Sequence, residues 1–154
     1  MNIYTSYFYQ IRFFKLWMIP MSTAMYDPKW YHNKQGPNHV YFDKNRVLNG
    51  IRLLSFVPGH DCEDLCRGPE GCGSEPDSCE FLKRYRKQLD RIDFDAFIEW
   101  AERYCKVYKK TFKLDHEPDI ILIFHETPNN PCSERVVMHQ WFNDNNYPIR
   151  EWSK

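Results

Sequence analysis

DIILIFHETPNNPCSERVVMHQWF, residues Asp119 to Phe142, carries three local signals in succession. Five apolar residues, Ile120 to Phe124, run on without alternation and stop at His125 and Glu126. Such a run, bounded by turn residues, predicts a strand buried on both faces. The turn chemistry that follows is explicit. Asn130 is a preferred N-cap and Pro131 suits the first helical position, which predicts a helix with Cys132 and Ser133 in its first turn. At about 3.6 residues per turn, Cys132, Arg135 and His139 fall near one face, and Val137, Met138, Trp141 and Phe142 fall on another. The first face carries chemistry and the second is core. Amides in that first turn have no helical partner and sit at the positive end of the helix dipole, where phosphate or carboxylate groups bind. The structural alternative makes Cys132 a small buried residue and Arg135 a surface charge.

Upstream of this stretch the pattern is helical. Phe81, Leu82, Tyr85 and Leu89 share one face. Asp93 is the expected N-cap of a longer helix in which Phe94, Phe97, Ile98, Ala101, Cys105, Tyr108 and Phe112 recur every three or four residues. Lys106, Lys109, Lys110 and Lys113 crowd its last turns, where they oppose the dipole's negative end without any need of nucleic acid. Toward the N-terminus, Asn2–Ser6 and Met18–Thr23 read as strands, with Pro20 making the second an edge or starting it one residue later. Tyr7–Leu16 reads as a helix or an irregular aromatic segment, and Tyr31–Asn45 as loop with a brief strand near Val40–Phe42. Val47–Val57 has nearly strand spacing and stops at Pro58-Gly59. Together these predict one α/β domain over residues 1–154: a mostly parallel, Rossmann-like sheet with helices packed on its faces. Ligands of such folds gather beyond the carboxyl ends of the strands, which points to the turns after Glu126 and Thr23.

The chain has 154 residues, and 21 Lys and Arg balance 21 Asp and Glu, so no global charge points to nucleic acid or a membrane surface. Aromatic residues make up 17% of it and read first as core. The apolar start MNIYTSYFYQIRFFKLWMIP is interrupted by Asn2, Gln10, Arg12 and Lys15 and lacks a small-residue cleavage site, so it reads as folded structure rather than as a leader or span. A cytoplasmic protein is expected, in which six cysteines are reduced, metal-bound or catalytic rather than disulfide-paired.

Four of those cysteines, Cys62, Cys66, Cys72 and Cys79, lie within 18 residues in a loop, 59–79, that also holds Gly59, Gly68, Pro69, Gly71 and Gly73. Four thiolates can close the tetrahedral shell of a structural zinc, and an iron-sulfur cluster takes the same ligands; zinc is preferred. A metal there would staple an otherwise irregular loop, because its binding energy is folding energy. The alternatives are reduced cysteines or disulfides.

The run LIFHETPNNPCSERVVMHQWF is similar to the closing motif of the domain-of-unknown-function family numbered 488. There a buried strand ends in Glu, Pro follows two residues on, and a helix begins at Cys with Arg just after. Glu126, Pro128, Cys132, Arg135 and Trp141 fall in the matching places, Arg135 one position later than usual. YTSYF at Tyr4–Phe8, IPMS at Ile19–Ser22 and PKW at Pro28–Trp30 resemble that family's opening. The resemblance covers both ends of the chain, its middle weakly, and it implies the fold and the site rather than a reaction; the cysteine loop looks like an insertion of a subgroup.

Two functions follow. In the first, the chain binds or processes a nucleotide, nucleoside or nucleic-acid end, as a hydrolase or glycosyl-transferring enzyme. Asn130, Ser133 and the helix start would hold a phosphate, with Arg135 as bidentate partner. Glu126 would be nucleophile or base toward the sugar, with Cys132 the second candidate nucleophile. Tyr4, Ser6, Ser22, Lys29 and Trp30 would line the site, Trp30 by stacking and Lys29 by charge. In the second, a zinc-stapled, non-enzymatic module binds protein or nucleic acid.

Overall fold

A computed structural model of the chain describes residues 1–31, 40–63 and 75–154. The apolar run forms β6 (Asp119–Phe124), in which every residue from Ile120 to Phe124 is buried. A strand without alternation needs cover on both faces and neighbours on both edges. β1 (Ile3–Tyr7) supplies one edge, in register from Ile3 opposite Ile120 to Tyr7 opposite Phe124. β2 (Met18–Ser22) supplies the other, from Met18 opposite Asp119 to Ser22 opposite Ile123. After β3 (Tyr41–Phe42) and β4 (Leu48–Asn49), which form a small antiparallel hairpin, β5 (Ile51–Arg52) extends the sheet beyond β2. β7 (Arg150–Glu151) extends it beyond β1. The order is β5-β2-β6-β1-β7, and all its pairings are parallel. The α/β class with a parallel sheet is therefore as expected.

Among the described residues the α-helices are α1 (His60–Glu63), α2 (Glu80–Asp90), α3 (Phe94–Thr111) and α4 (Glu134–Asp144). The apolar stripe of α2, Phe81, Leu82, Tyr85 and Leu89, is buried, and α2 packs on α4. Asp93 caps α3 by accepting from the Ala96 amide at 3.0 Å. Phe97 of α3 sits 4.8 Å from Phe56 and 6.2 Å from Phe142, ring centre to ring centre, and Tyr108 donates to the Leu16 carbonyl at 2.6 Å. No helix among the described residues is long and apolar enough to cross a membrane.

Two strand expectations are corrected. β2 is an interior strand that begins at Met18, with Pro20 inside it. The proline is tolerated because its carbonyl faces Gly50 and the Tyr31 hydroxyl, on the side where pairing with β5 starts only at Met21. The missing N–H thus costs no ladder bond there. Val47–Val57 is likewise not one strand. It breaks at Gly50 into β4 and β5 and then turns through a 3-10 helix, Leu54–Phe56. Tyr7–Leu16, left between helix and irregular chain, contains a 3-10 helix over Phe8–Phe13.

Gly50 is required by contact: a Cβ there would lie 1.8 Å from the Pro20 oxygen. Gly50→Ala is therefore expected to destabilise the chain by at least about 3 kcal/mol, since neither backbone can yield without moving β2 or β5. Urea unfolding would show it; a change under about 1 kcal/mol would mean that the two backbones are not in contact.

Candidate functional site

β2 hands the chain on toward β5 while its neighbour β6 hands it toward β7. The place between neighbouring strands whose connections leave in opposite directions is where open parallel sheets collect ligands. The turns after β1, β2 and β6 meet there. Thr23 anchors to the Ile123 carbonyl through both its amide and its hydroxyl, each at 3.0 Å. His125 Nε2 bonds to the Tyr26 carbonyl, and the Phe8 ring lies 5.1 Å from His125 and 6.1 Å from Trp30.

The turn after β6 corrects the expected cap. Asn130 and Pro131 occupy the first two positions of a β-turn closed by Ser133 N–H to the Asn130 carbonyl at 3.3 Å, and the Asn130 side chain accepts from the Cys132 amide at 2.9 Å. Asn then Pro suits this turn as well as it suits a helix start. The N-cap is Ser133, whose Oγ accepts from the Arg135 amide at 3.2 Å. Hence Glu134 and Arg135, not Cys132 and Ser133, form the first turn of α4. Cys132 is half-buried in the turn ahead of it.

This shift brings two carboxyls together. The Ser133 hydroxyl donates to Glu126 Oε2 at 3.1 Å, so Glu126, half-buried at the strand exit, is held by the residue that caps α4. Glu134 is 8% exposed, and burial, then the charge of Glu126, push its carboxyl up to about 8. At neutral pH Glu134 is a neutral acid hydrogen-bonded to Glu126. Glu134 was not singled out from the sequence; its signal was an acidic residue directly after a Ser able to cap.

Arg135 faces inward. The register sets Glu151 of β7 beside Thr5 of β1, on the face that α4 covers. Arg135 and His139, one turn apart, reach both. Arg135 Nε donates to Glu151 Oε2 at 2.9 Å, and Nη2 donates to the Ser6 carbonyl at 3.1 Å. The Thr5 hydroxyl donates to the same Glu151 oxygen at 2.5 Å, so His139 Nε2, 2.6 Å from Thr5 Oγ1, is the donor to Thr5. Burial and then Arg135 lower the pKa of His139, and burial raises that of Glu151 against the opposing pull of Thr5 and Arg135. Arg135 Nη1 and Glu151 Oε1 are buried without a hydrogen-bond partner among the described residues. His139 shares the helix face of Arg135 as expected, though its partner was not legible; Thr5 and Glu151 were missed, since a two-residue strand leaves no periodicity to read.

Of the other expected site residues, Ser133 joins Glu126 directly and Asn130 shapes the turn. Ser6 is buried, its hydroxyl given to the Trp152 carbonyl at 2.8 Å. Ser22 is buried and donates to Asp27, whose carboxyl is raised by burial despite Ser22 and Arg52. Lys29 lines a cleft of about 400 Å³ with Asp27 and Arg52. Trp30 is exposed beside Phe8. Tyr4 pairs with Ile121, three residues short of the exit of β6, and lines a separate cleft with Asn2 and Arg150. Of the four expected zinc ligands, Cys62 and Cys79 are buried, and Cys66 and Cys72 lie outside the described residues, as does most of the 59–79 loop. Among the described residues no three His, Cys, Asp or Glu side chains gather in a metal-binding group.

The chain matches no protein-family model, no curated protein and no solved structure.

Removing either partner of the Arg135–Glu151 pair strands the other charge. Arg135→Ala and Glu151→Ala are each expected to cost about 3 kcal/mol, and the double variant less than their sum, in a urea-unfolding cycle. Additive losses would show that the two side chains do not interact. Glu134 adds a pH effect. Its folded pKa lies above the ordinary 4.5, so its contribution is complete below about pH 4.5 and is lost as pH rises toward 8. Stability should fall over that window by up to about 1.4 kcal/mol per pH unit, and Glu134→Gln should flatten the fall.

Proposed function

We propose that the chain binds a nucleoside or nucleotide at the carboxyl ends of β1, β2 and β6, and that Glu126 acts on its sugar, breaking or transferring an N-glycosidic bond. The observation that carries this reading is the Glu126 carboxylate itself. It stands half-buried at the strand exit, held by the Ser133 hydroxyl and by neutral Glu134. A positioned carboxyl group held beside a second, protonated one is the arrangement that a base or nucleophile toward an anomeric carbon uses. Trp30 and Tyr26, 42% and 70% exposed on the neighbouring loop, offer faces on which a base stacks.

The two carboxyls beside the first turn of α4, and the engagement of Arg135 with Glu151, favour sugar hydroxyls over a phosphate at that turn. A phosphate would sit instead toward Lys29, in the cleft with Arg52. The all-parallel pairing of the sheet supports a Rossmann-like description, though its order, with β6 between β1 and β2, departs from the Rossmann order; Glu126, Pro128, Cys132, Arg135 and Trp141 support membership of the family numbered 488. A cytoplasmic location and a structural zinc on Cys62, Cys66, Cys72 and Cys79 belong to the same reading, and metal analysis should return about one zinc per chain.

A thermal-shift panel of nucleosides, nucleotides and nucleotide sugars tests the binding, because a ligand held by the native state raises the melting temperature. Release of free base from the compounds that bind tests the chemistry. Glu126→Gln should cut it at least about 100-fold while the thermal shift persists. A panel without any shift, or full activity in Glu126→Gln, would remove Glu126 from the chemistry.

A further inference from the structure

Another cleft, of about 500 Å³, shares no residue with the Glu126 site and stands independently of that proposal. It lies along the connection from β1 to β2, facing the tip of the β3–β4 hairpin and the residues after β7. Arg12, Lys15, Arg46 and Lys154 line it with Trp17 and Phe42, and its lining holds no Asp or Glu. In a chain whose charged side chains balance at 21 of each sign, four basic side chains around one cleft without an Asp or Glu is a local excess.

Two of the four cations lie on aromatic rings. None of the four pairs with a carboxylate among the described residues. Arg12 sits 3.8 Å above the Tyr9 ring, and Lys154 sits 4.4 Å above the Phe13 ring. Arg46 is held at the hairpin tip with φ 61°, a conformation that Gly or Asn adopts with less strain. The turn survives because Asp43 accepts from the Asn45 amide at 2.8 Å and the Val47 amide at 3.0 Å. The Asp43 carboxylate is thereby engaged in the turn, and Arg46 is exposed. Trp17 and Phe42 are 38% and 46% exposed, large apolar faces left in water beside those cations.

We propose that this cleft binds a single strand of nucleic acid, its phosphates on Arg12, Lys15, Arg46 and Lys154 and its bases stacked on Trp17 and Phe42. Cations that follow a backbone, interleaved with ring faces, are the recognition chemistry of single strands. A duplex keeps its base faces stacked inside, and a sulfated polysaccharide uses the cations alone, so neither needs the two exposed rings.

Fluorescence anisotropy with labelled twelve-nucleotide oligo-dT and oligo-U, read against salt, tests the proposal. Three or four phosphate contacts predict a slope of log affinity on log salt between about −2 and −3. The triple variant Arg12→Glu, Lys15→Glu, Arg46→Glu should weaken binding more than tenfold. Should it fold poorly by circular dichroism, Lys15→Gln with Arg46→Gln, both at exposed positions, should still weaken it several-fold. Trp17→Ala with Phe42→Ala should weaken binding at least about fivefold while leaving heparin binding unchanged. Lys83→Glu with Lys87→Glu, on α2, should have no effect. No measurable binding, equal competition by duplex or heparin, an unaffected ring variant, or equal loss in the α2 control would each overturn it.

Discussion

The guanidinium of Arg135 is the charge around which the site end of the molecule is assembled. It leaves the first turn of α4, crosses the Phe124 ring at 5.2 Å, and bonds both to the Ser6 carbonyl and to Glu151. Those three contacts belong to the central strand, its neighbour and the edge strand. A buried cation without partners is costly, so α4, β1 and β7 are obliged to keep one relative position. β7 pairs with β1 through only two residues, Arg150 and Glu151, so its place depends on side chains as much as on its ladder. Thr5 and the Trp152 amide, which bonds back to the Thr5 carbonyl at 2.8 Å, complete that attachment.

The same anchoring explains the character of the Glu126 site. With Arg135 turned inward, the start of α4 is left with Glu134 and, opposite it, Glu126. Burial and the neighbouring Glu126 outweigh the pull of Arg135, so Glu134 keeps its proton at neutral pH. The residue that looks most like an anion receptor in sequence is thus a structural tie, and the residue beside it becomes the chemical neighbour of Glu126. A displacement of one position along the helix exchanges the two roles.

What could be read from residues alone follows the strength of the repeating pattern. The unbroken run at Ile120–Phe124 could only be a doubly covered strand, and the stripes of α2 and α3 with the Asp93 cap left no competing period. Asn130-Pro131 was ambiguous in principle, because a β-turn and a helix start ask for the same two residues in the same order. Ser133 resolves it only through its distance to the Arg135 amide. Pro20 was misleading since a proline's suitability depends on which side its nitrogen faces, a property of the neighbouring strand. Glu126 was legible as the polar residue at a buried strand's exit. Glu151 was not, for two residues carry no period, and its partner is set by folding rather than by spacing.

The central position of β6 also bears on how the chain is made. β1 and β2 are joined by ten residues, 8 to 17, yet they do not pair with each other; the slot between them is filled by residues 119–124. During synthesis from the N-terminus, both strands therefore wait with their inner edges open while roughly a hundred further residues emerge. Contacts of that span form slowly, and open apolar edges invite pairing with other chains. In the folded chain the aromatic-rich connection over Phe8–Phe13 spans a gap of one strand, which the later-made central strand fills.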